Sequence, residues 1–311
     1  MFSKHTWNYL AAWLAFLVIP VSSSYEQKSG TFSALDSVLL FARPYYDVRV
    51  VTPNHSLVIP PPFDVPANSG LFNYPSISPR ADLVAWGFAV QGHPRLRRFA
   101  LGVYSIAEAR WKTYGDFDEI GATAFSPDGS KIACVVQEAE KKDAFLIFDL
   151  ATGNMTKVPH PKGIPGKATL SWSPDGRRLV VEVLRSEKTR LIAVFDPNTG
   201  DTKPVGEGSH PAWSPTGEWI AYYGDSGDKC ILVHPDGTGK KIVGKAHSTF
   251  LTPRRFGYAV VWSPDSKTLL LNEMKGDGDY LDVMLLDLGT GRLTRKSKNG
   301  WPVFGWVFPQ K

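Results

Sequence analysis

The sequence predicts an all-β fold, a six-bladed β-propeller, and three observations predict it. A Ser-Pro turn recurs five times, as Ile77-Ser78-Pro79-Arg80-Ala81, Phe125-Ser126-Pro127-Asp128-Gly129, Trp172-Ser173-Pro174-Asp175-Gly176, Trp213-Ser214-Pro215-Thr216-Gly217 and Trp262-Ser263-Pro264-Asp265-Ser266. Its prolines are 48, 47, 41 and 49 residues apart, a period that suits four-stranded propeller blades. The two ends of the chain supply complementary fragments of one further unit.

Each turn has a physical reason. Proline presets φ at the second position, aspartate suits the next, and glycine accepts the left-handed conformation that reverses the chain. In the clearest copy the turn after Trp172 leads into Leu179 to Val183, the β-branched and leucine-rich run of a buried strand. A polar loop and a third apolar strand follow. That strand ends in a turn such as Asp149-Leu150-Ala151-Thr152-Gly153, Asp196-Pro197-Asn198-Thr199-Gly200 or Asp287-Leu288-Gly289-Thr290-Gly291. A short fourth strand comes next, over Met155 to Val158, Thr202 to Val205 and Arg292 to Arg295. Four strands per unit, a to d, make a blade. The first copy departs from the pattern, with Arg80-Ala81 at the Asp-Gly positions.

At the C-terminal end Val303 to Pro309 reads as one more strand a, in register with the repeat. Strands expected over Asp36 to Ala42, Tyr45 to Val51 and Ser56 to Ile59 would complete that blade as b, c and d. A ring closed by both ends leaves no free edge at its seam. Residues 34–311 are therefore one six-bladed domain.

Residues 1–24 read as a secretory signal, with Lys4 and His5 at the head, an apolar run from Tyr9 to Val21, and small residues at Ser22 to Ser24. Residues 25–33 are a linker. The mature chain is expected in a periplasm or outside the cell, with no stable membrane span. An uncleaved N-terminal membrane anchor is the alternative, disfavoured because the apolar run falls short of the roughly 20 residues that a spanning helix needs.

The 311 residues carry a formal charge of +5, with 43% hydrophobic and 21% charged residues. Lysine and arginine are interleaved with acids, which argues against a nucleic-acid partner. Cys134 and Cys230 sit inside apolar strand patterns in non-adjacent blades and are expected to be buried free thiols. A monomer is expected.

The repeat resembles that of the TolB-like propeller family, also described as a WD40-like or PD40 repeat. The resemblance covers Asp36 to Pro309 and is most specific at His210-Pro211-Ala212-Trp213-Ser214-Pro215-Thr216-Gly217-Glu218-Trp219-Ile220-Ala221 and at Gly291-Arg292-Leu293-Thr294-Arg295. The family spans periplasmic scaffolds, the propeller halves of prolyl-oligopeptidase-like peptidases, and metal-dependent pectic-oligomer lyases. A fold does not choose among these functions. The chain has no G-x-S-x-G motif and no room for a hydrolase domain, which removes the peptidase branch.

In a propeller the a–b and c–d turns share one face, and the b–c and d–a connections share the other. The aspartates of the Ser-Pro turns are then turn formers, and the tryptophans at the repeat position are packing between blades. The candidate binding residues lie on the d–a face: His210, which abuts an inner strand, and Arg254, Arg255 and Phe256 in the long connection Lys245 to Gly257, with Tyr258 directly after it. Paired arginines fork a carboxylate, and aromatic side chains give rigid contact area. The first expectation is thus an exported, non-catalytic propeller binding a protein, peptide or envelope component at the channel mouth, with no cofactor and no catalytic residues. The alternative is a metal-assisted saccharide lyase or hydrolase holding a divalent metal with His93, His160, His210 and His247. A purely structural module is the third reading. Gly224-Asp225-Ser226-Gly227-Asp228 looks like a nucleophile loop but has no positioned base. Asp277, Asp279 and Asp282 lack the full pattern of a calcium loop.

Overall fold

The computed structural model describes residues 38–43, 47–52, 55–60, 74–90, 98–138, 142–159, 164, 168–186, 189–246, 254–275, 280–297 and 302–307. The signal and linker, with His93, His160 and His247, lie outside the described residues, as do Asp277 and Asp279. Among the described residues twenty-four strands form six four-stranded antiparallel sheets. Blade 1 joins β1 (Val38–Arg43), β2 (Asp47–Val51) and β3 (Ser56–Ile59) to the last strand, β24 (Val303–Val307), in the order β24-β1-β2-β3. Blade 2 is β4 (Ser76–Ile77), β5 (Leu83–Val90), β6 (Arg98–Ser105) and β7 (Arg110–Phe117). Blade 3 is β8 (Glu119–Phe125), β9 (Lys131–Glu138), β10 (Lys142–Asp149) and β11 (Met155–Val158). Blade 4 is β12 (Leu170–Trp172), β13 (Leu179–Leu184), β14 (Arg190–Phe195) and β15 (Thr202–Glu207). Blade 5 is β16 (Ser209–Trp213), β17 (Ile220–Tyr223), β18 (Lys229–Val233) and β19 (Lys241–Lys245). Blade 6 is β20 (Arg254–Trp262), β21 (Thr268–Lys275), β22 (Tyr280–Asp287) and β23 (Leu293–Ser297). The expected seam is present: β24 pairs antiparallel with β1. Among the described residues no helix is long and apolar enough to cross a membrane.

Both faces of the middle strands are apolar because each blade is packed on two sides. In β17 all four residues are buried. Side chains alternate along a strand, so Ile220 and Tyr222 join the cluster shared with blade 4 while Ala221 and Tyr223 join the one shared with blade 6. Six such clusters fill the six blade–blade interfaces. The repeat tryptophans are pegs in these interfaces. Trp172 Nε1 donates to the Ala124 carbonyl of the preceding blade at 3.1 Å, and Trp262 Nε1 donates to that of Ala212 at 3.0 Å.

The Ser-Pro turns are closed by their own side chains. Ser173 Oγ donates to Asp175 Oδ1 at 2.5 Å, and Arg178 N donates to Ser173 Oγ at 2.9 Å. The serine hydroxyl on Asp128, from Ser126, holds that carboxyl down at about 2. The aberrant first copy makes the same turn: Ala81 takes the left-handed position at φ 56°, and Asp82 receives the Ser78 hydroxyl at 2.6 Å.

The c–d turns show one economical defect. Gly153, Gly200 and Gly291 reverse the chain at φ 73°, 83° and 68°. In blade 2 that position is Ala109, exposed, at φ 49°. Left-handed backbone costs a non-glycine residue roughly 1–2 kcal/mol, against about 0.5–1 kcal/mol of extra chain entropy for glycine. Ala109→Gly is therefore expected to raise stability by about 0.5–1 kcal/mol, read as a higher urea midpoint with an unchanged slope.

Cys134 and Cys230 are both buried free thiols, in blades 3 and 5, and burial pushes their pKa up.

Candidate functional site

The inner strands β4, β8, β12, β16, β20 and β24 line a central channel of about 610 Å³. It runs from the d–a connections, at Tyr74, Thr169, His210 and Tyr258, to a ring of prolines at the Ser-Pro turns. Among the described residues that line it, none is an aspartate, glutamate, lysine or arginine.

Two of the five sequence-chosen binding residues, His210 and Tyr258, are brought together on this channel. Both sit in bulges. The β16–β17 register shifts between Ser209 and Ala212, and the β20–β21 register shifts between Phe256 and Val260. Each bulge places a non-glycine residue in left-handed backbone, His210 at φ 57° and Tyr258 at φ 62°. The other three such residues, Ala81, Ala109 and Ser266, belong to a–b and c–d turns. A bulge re-aims a side chain, and strain of this kind persists only where surrounding contacts enforce it.

The enforcing contacts at His210 begin one residue earlier but one. Gly208, at φ 150°, would carry a Cβ 2.0 Å from the Tyr223 carbonyl oxygen, so only glycine fits there. His210 N then donates to Glu182 Oε1 at 2.7 Å. Glu182 lies on β13 of blade 4 and is 1% exposed. The Thr169 hydroxyl donates to the same oxygen, and Arg190 reaches Glu182 Oε2 at 3.0 Å from a half-exposed position. The side chain of His210 is fixed across the ring: its Nε2 is 2.9 Å from the hydroxyl of Tyr74. Tyr74 belongs to blade 2 and His210 to blade 5, which face each other, so the bond crosses the channel. Phe304 of blade 1 packs edge-on against Tyr74 and Tyr258, with centroids 5.6 and 6.1 Å away. The Tyr223 ring lies 5.9 Å from that of His210. Burial lowers the pKa of His210, and burial followed by the nearby Glu182 raises that of Tyr74. Burial thus favours the uncharged form of both groups. Among the described residues His210 Nδ1 has no hydrogen-bond partner.

The expected loop around Arg254 and Arg255 is corrected. Arg254, Arg255 and Phe256 already belong to β20 and pair with Lys275, Met274 and Glu273. The bulge that follows interrupts the alternation of a strand, which is why the segment reads as a connection. Two further d–a connections shrink to one residue each, Asp118 between β7 and β8 and Gly208 between β15 and β16. Ser226 donates to Asp228 inside a tight turn, where Gly227 N meets the Gly224 carbonyl at 2.7 Å. It is a turn former. Of the four histidines weighed as metal ligands, His210 alone is described, and among the described residues no three His, Cys, Asp or Glu side chains are grouped to hold an ion.

Sequence reasoning missed Glu182, Tyr223 and Asn272. They occupy one repeat position, three residues after Leu179, Ile220 and Leu269, which pair with the turn tryptophans. Each reaches the inner strand of the next blade. Tyr223 Oη donates to the Ala259 carbonyl at 3.0 Å. Asn272 Nδ2 donates to the Ala259 and Val303 carbonyls at 2.9 and 3.0 Å, while its Oδ1 accepts from Val303 N at 2.9 Å.

The ring can now be set beside known structures. TolB from Acinetobacter baumannii superposes with a TM-score of 0.65 at 15% identity, over 88% of this chain and 66% of that one. A chain of a nidogen/laminin complex gives 0.60 at 10% identity, over 88% of this chain and 100% of that one. An oligogalacturonate lyase in complex with manganese gives 0.53 at 16% identity, over 85% and 74%. The fold is TolB-like. At these identities the likeness is one of fold, and this chain spans just under two thirds of that TolB. No protein-family model matches the chain, and no curated protein matches its sequence.

Proposed function

We propose that this chain is an exported, non-catalytic propeller that binds a protein or peptide partner at the channel end bearing His210 and Tyr258. The observation that carries the reading is the pair of strained bulges: the inner strands break register to aim these two side chains into the channel. Strain held at a ligand clamp is pre-organisation, which lowers the cost of ordering on binding. Arg254 and Arg255, at the start of the same strand as Tyr258, would meet a carboxylate of the partner. Export rests on the sequence of residues 1–24, and the likeness to a chain of a nidogen/laminin complex lends support as a similar fold seen in a protein complex.

The polar groups here suit recognition rather than chemistry. His210 Nε2 is engaged by Tyr74, and Glu182 Oε1 is taken by a hydroxyl and a backbone N–H. Immobilised wild type is expected to retain a discrete partner from an envelope extract of the source cells. Arg254→Ala with Arg255→Ala, or Tyr258→Ala alone, should weaken retention about tenfold or more, the loss typical of a central contact. Retention indifferent to all three changes would sink the reading. Metal analysis of the same preparation tests the alternative of a metal-assisted saccharide enzyme: a tightly held divalent ion that disappears in His210→Ala would sink the non-catalytic reading in its favour.

A further inference from the structure

We infer a second binding site, on the opposite side of the Tyr74–His210 bridge: the channel is a blind pocket that takes an uncharged, apolar segment of a polypeptide, entered from the face of the Ser-Pro turns. It shares the channel with the surface proposed above but is entered from the opposite face, and it does not depend on that reading.

Three observations carry this. The bridge joins facing blades at 2.9 Å, and Phe304 backs it, so the middle of the channel is crossed at its d–a end and nothing threads along the axis. The other end opens between Pro79, Pro127, Pro174, Pro215 and Pro264, which all line the channel. Prolines are rigid and lose little entropy when a partner packs on them. The volume, about 610 Å³, lies in the range of roughly 300–1,000 Å³ usual for ligand sites.

The wall then states what fits. Ala122, Ala124, Ala212, Ala259 and Gly305 keep it wide, while Trp306 adds apolar surface. Among the described residues no lining aspartate, glutamate, lysine or arginine is present, and the ion pair behind the floor is self-neutralised, Glu182 by Arg190 at 3.0 Å. A carboxylate or ammonium entering would lose its hydration with no counter-charge to replace it. A neutral segment loses nothing of that kind, and its backbone meets uncharged polar groups such as Ser171 Oγ and the Tyr74 hydroxyl. An acidic saccharide is rejected by the same wall.

The test uses Nile red, a neutral apolar dye, and anilinonaphthalene sulfonate, its anionic counterpart, with the full chain. Nile red is expected to bind one to one with blue-shifted emission, and the sulfonate about tenfold or more weaker, because its charge has no partner inside. A carboxylate placed in the wall by Ala212→Asp should weaken Nile red by about tenfold. Pro215→Glu does the same from the exposed rim, and keeps the test decisive where Ala212→Asp fails to fold. A capped peptide of alanine, proline and leucine should displace the dye, and the same peptide with a central aspartate should not. No stoichiometric uptake, equal binding of both dyes, uptake indifferent to Pro215→Glu, or a neutral peptide that fails to displace would each overturn the proposal. Dye lost in Tyr258→Ala but kept in Pro215→Glu would overturn it too, by placing the occupant at the d–a end.

Discussion

Replacing Asn272 by alanine is expected to destabilise the protein by about 3 kcal/mol or more. Asn272 is fully buried in blade 6, and its amide serves three backbone groups, the N–H and carbonyl of Val303 and the carbonyl of Ala259. Ala259 keeps its bond from Tyr223. Val303 keeps nothing equivalent from this side chain, and each buried polar group left without a partner costs about 1–3 kcal/mol. The loss falls on the seam, because Val303 opens the strand that closes the ring. Urea unfolding should show a lower midpoint, and hydrogen exchange should show β24 losing protection before the middle strands do. Asn272→Asp is the sharper control. It keeps an acceptor for Val303 N but removes both donors and buries a charge beside two carbonyls, so it should be at least as damaging as alanine. A midpoint unchanged in both variants would show that the amide does not hold the seam.

Glu182→Leu is expected to cost about 3 kcal/mol as well, for a different reason. The carboxylate receives the Thr169 hydroxyl and His210 N and pairs with Arg190. Arg190 is half exposed and can return to water, so the penalty is not a stranded charge. It comes from the His210 N–H and the Thr169 hydroxyl, both left unbonded at about 1–3 kcal/mol apiece. Glu182→Gln can keep its amide oxygen in the Oε1 position, where both bonds fall, and loses only the charge that faces Arg190, so it should cost about 1 kcal/mol. The two variants also differ at the site. Without Glu182 the His210 N–H loses the acceptor that fixes it in left-handed backbone, so Glu182→Leu should lose the Tyr74–His210 bridge, seen as a shift of the His210 ring resonances, whereas Glu182→Gln should keep it. Equal ring spectra in wild type and Glu182→Leu would refute this positioning role.

The architecture was legible because it is periodic. Five Ser-Pro turns near one spacing fix the number of blades, and Val303 to Pro309 in phase with them fixes the seam. The tryptophans and the turn aspartates had their roles for the same reason: each recurs, so one physical account covers all copies. The site was legible only where it touches the repeat. His210 stood out by abutting strand a. Its partner Tyr74 lies 136 residues away in a connection with no pattern of its own, so no spacing could join them. Glu182, Tyr223 and Asn272 share a position but not a chemistry, an acid, a phenol and an amide, and periodicity is read from likeness. Arg254 to Gly257 read as a loop because a bulge shifts the alternation by which a strand is recognised.

The seam has a consequence for synthesis. β1 is made long before β24, yet they are neighbours in one sheet. Until β24 arrives, β1 presents an open edge and blade 1 lacks its inner wall. Five blades can stack as they emerge, but the ring exists only once β24 has paired. That delay makes the half-made ring its most adhesive form, since an unpaired edge held beside apolar faces is where neighbouring chains join.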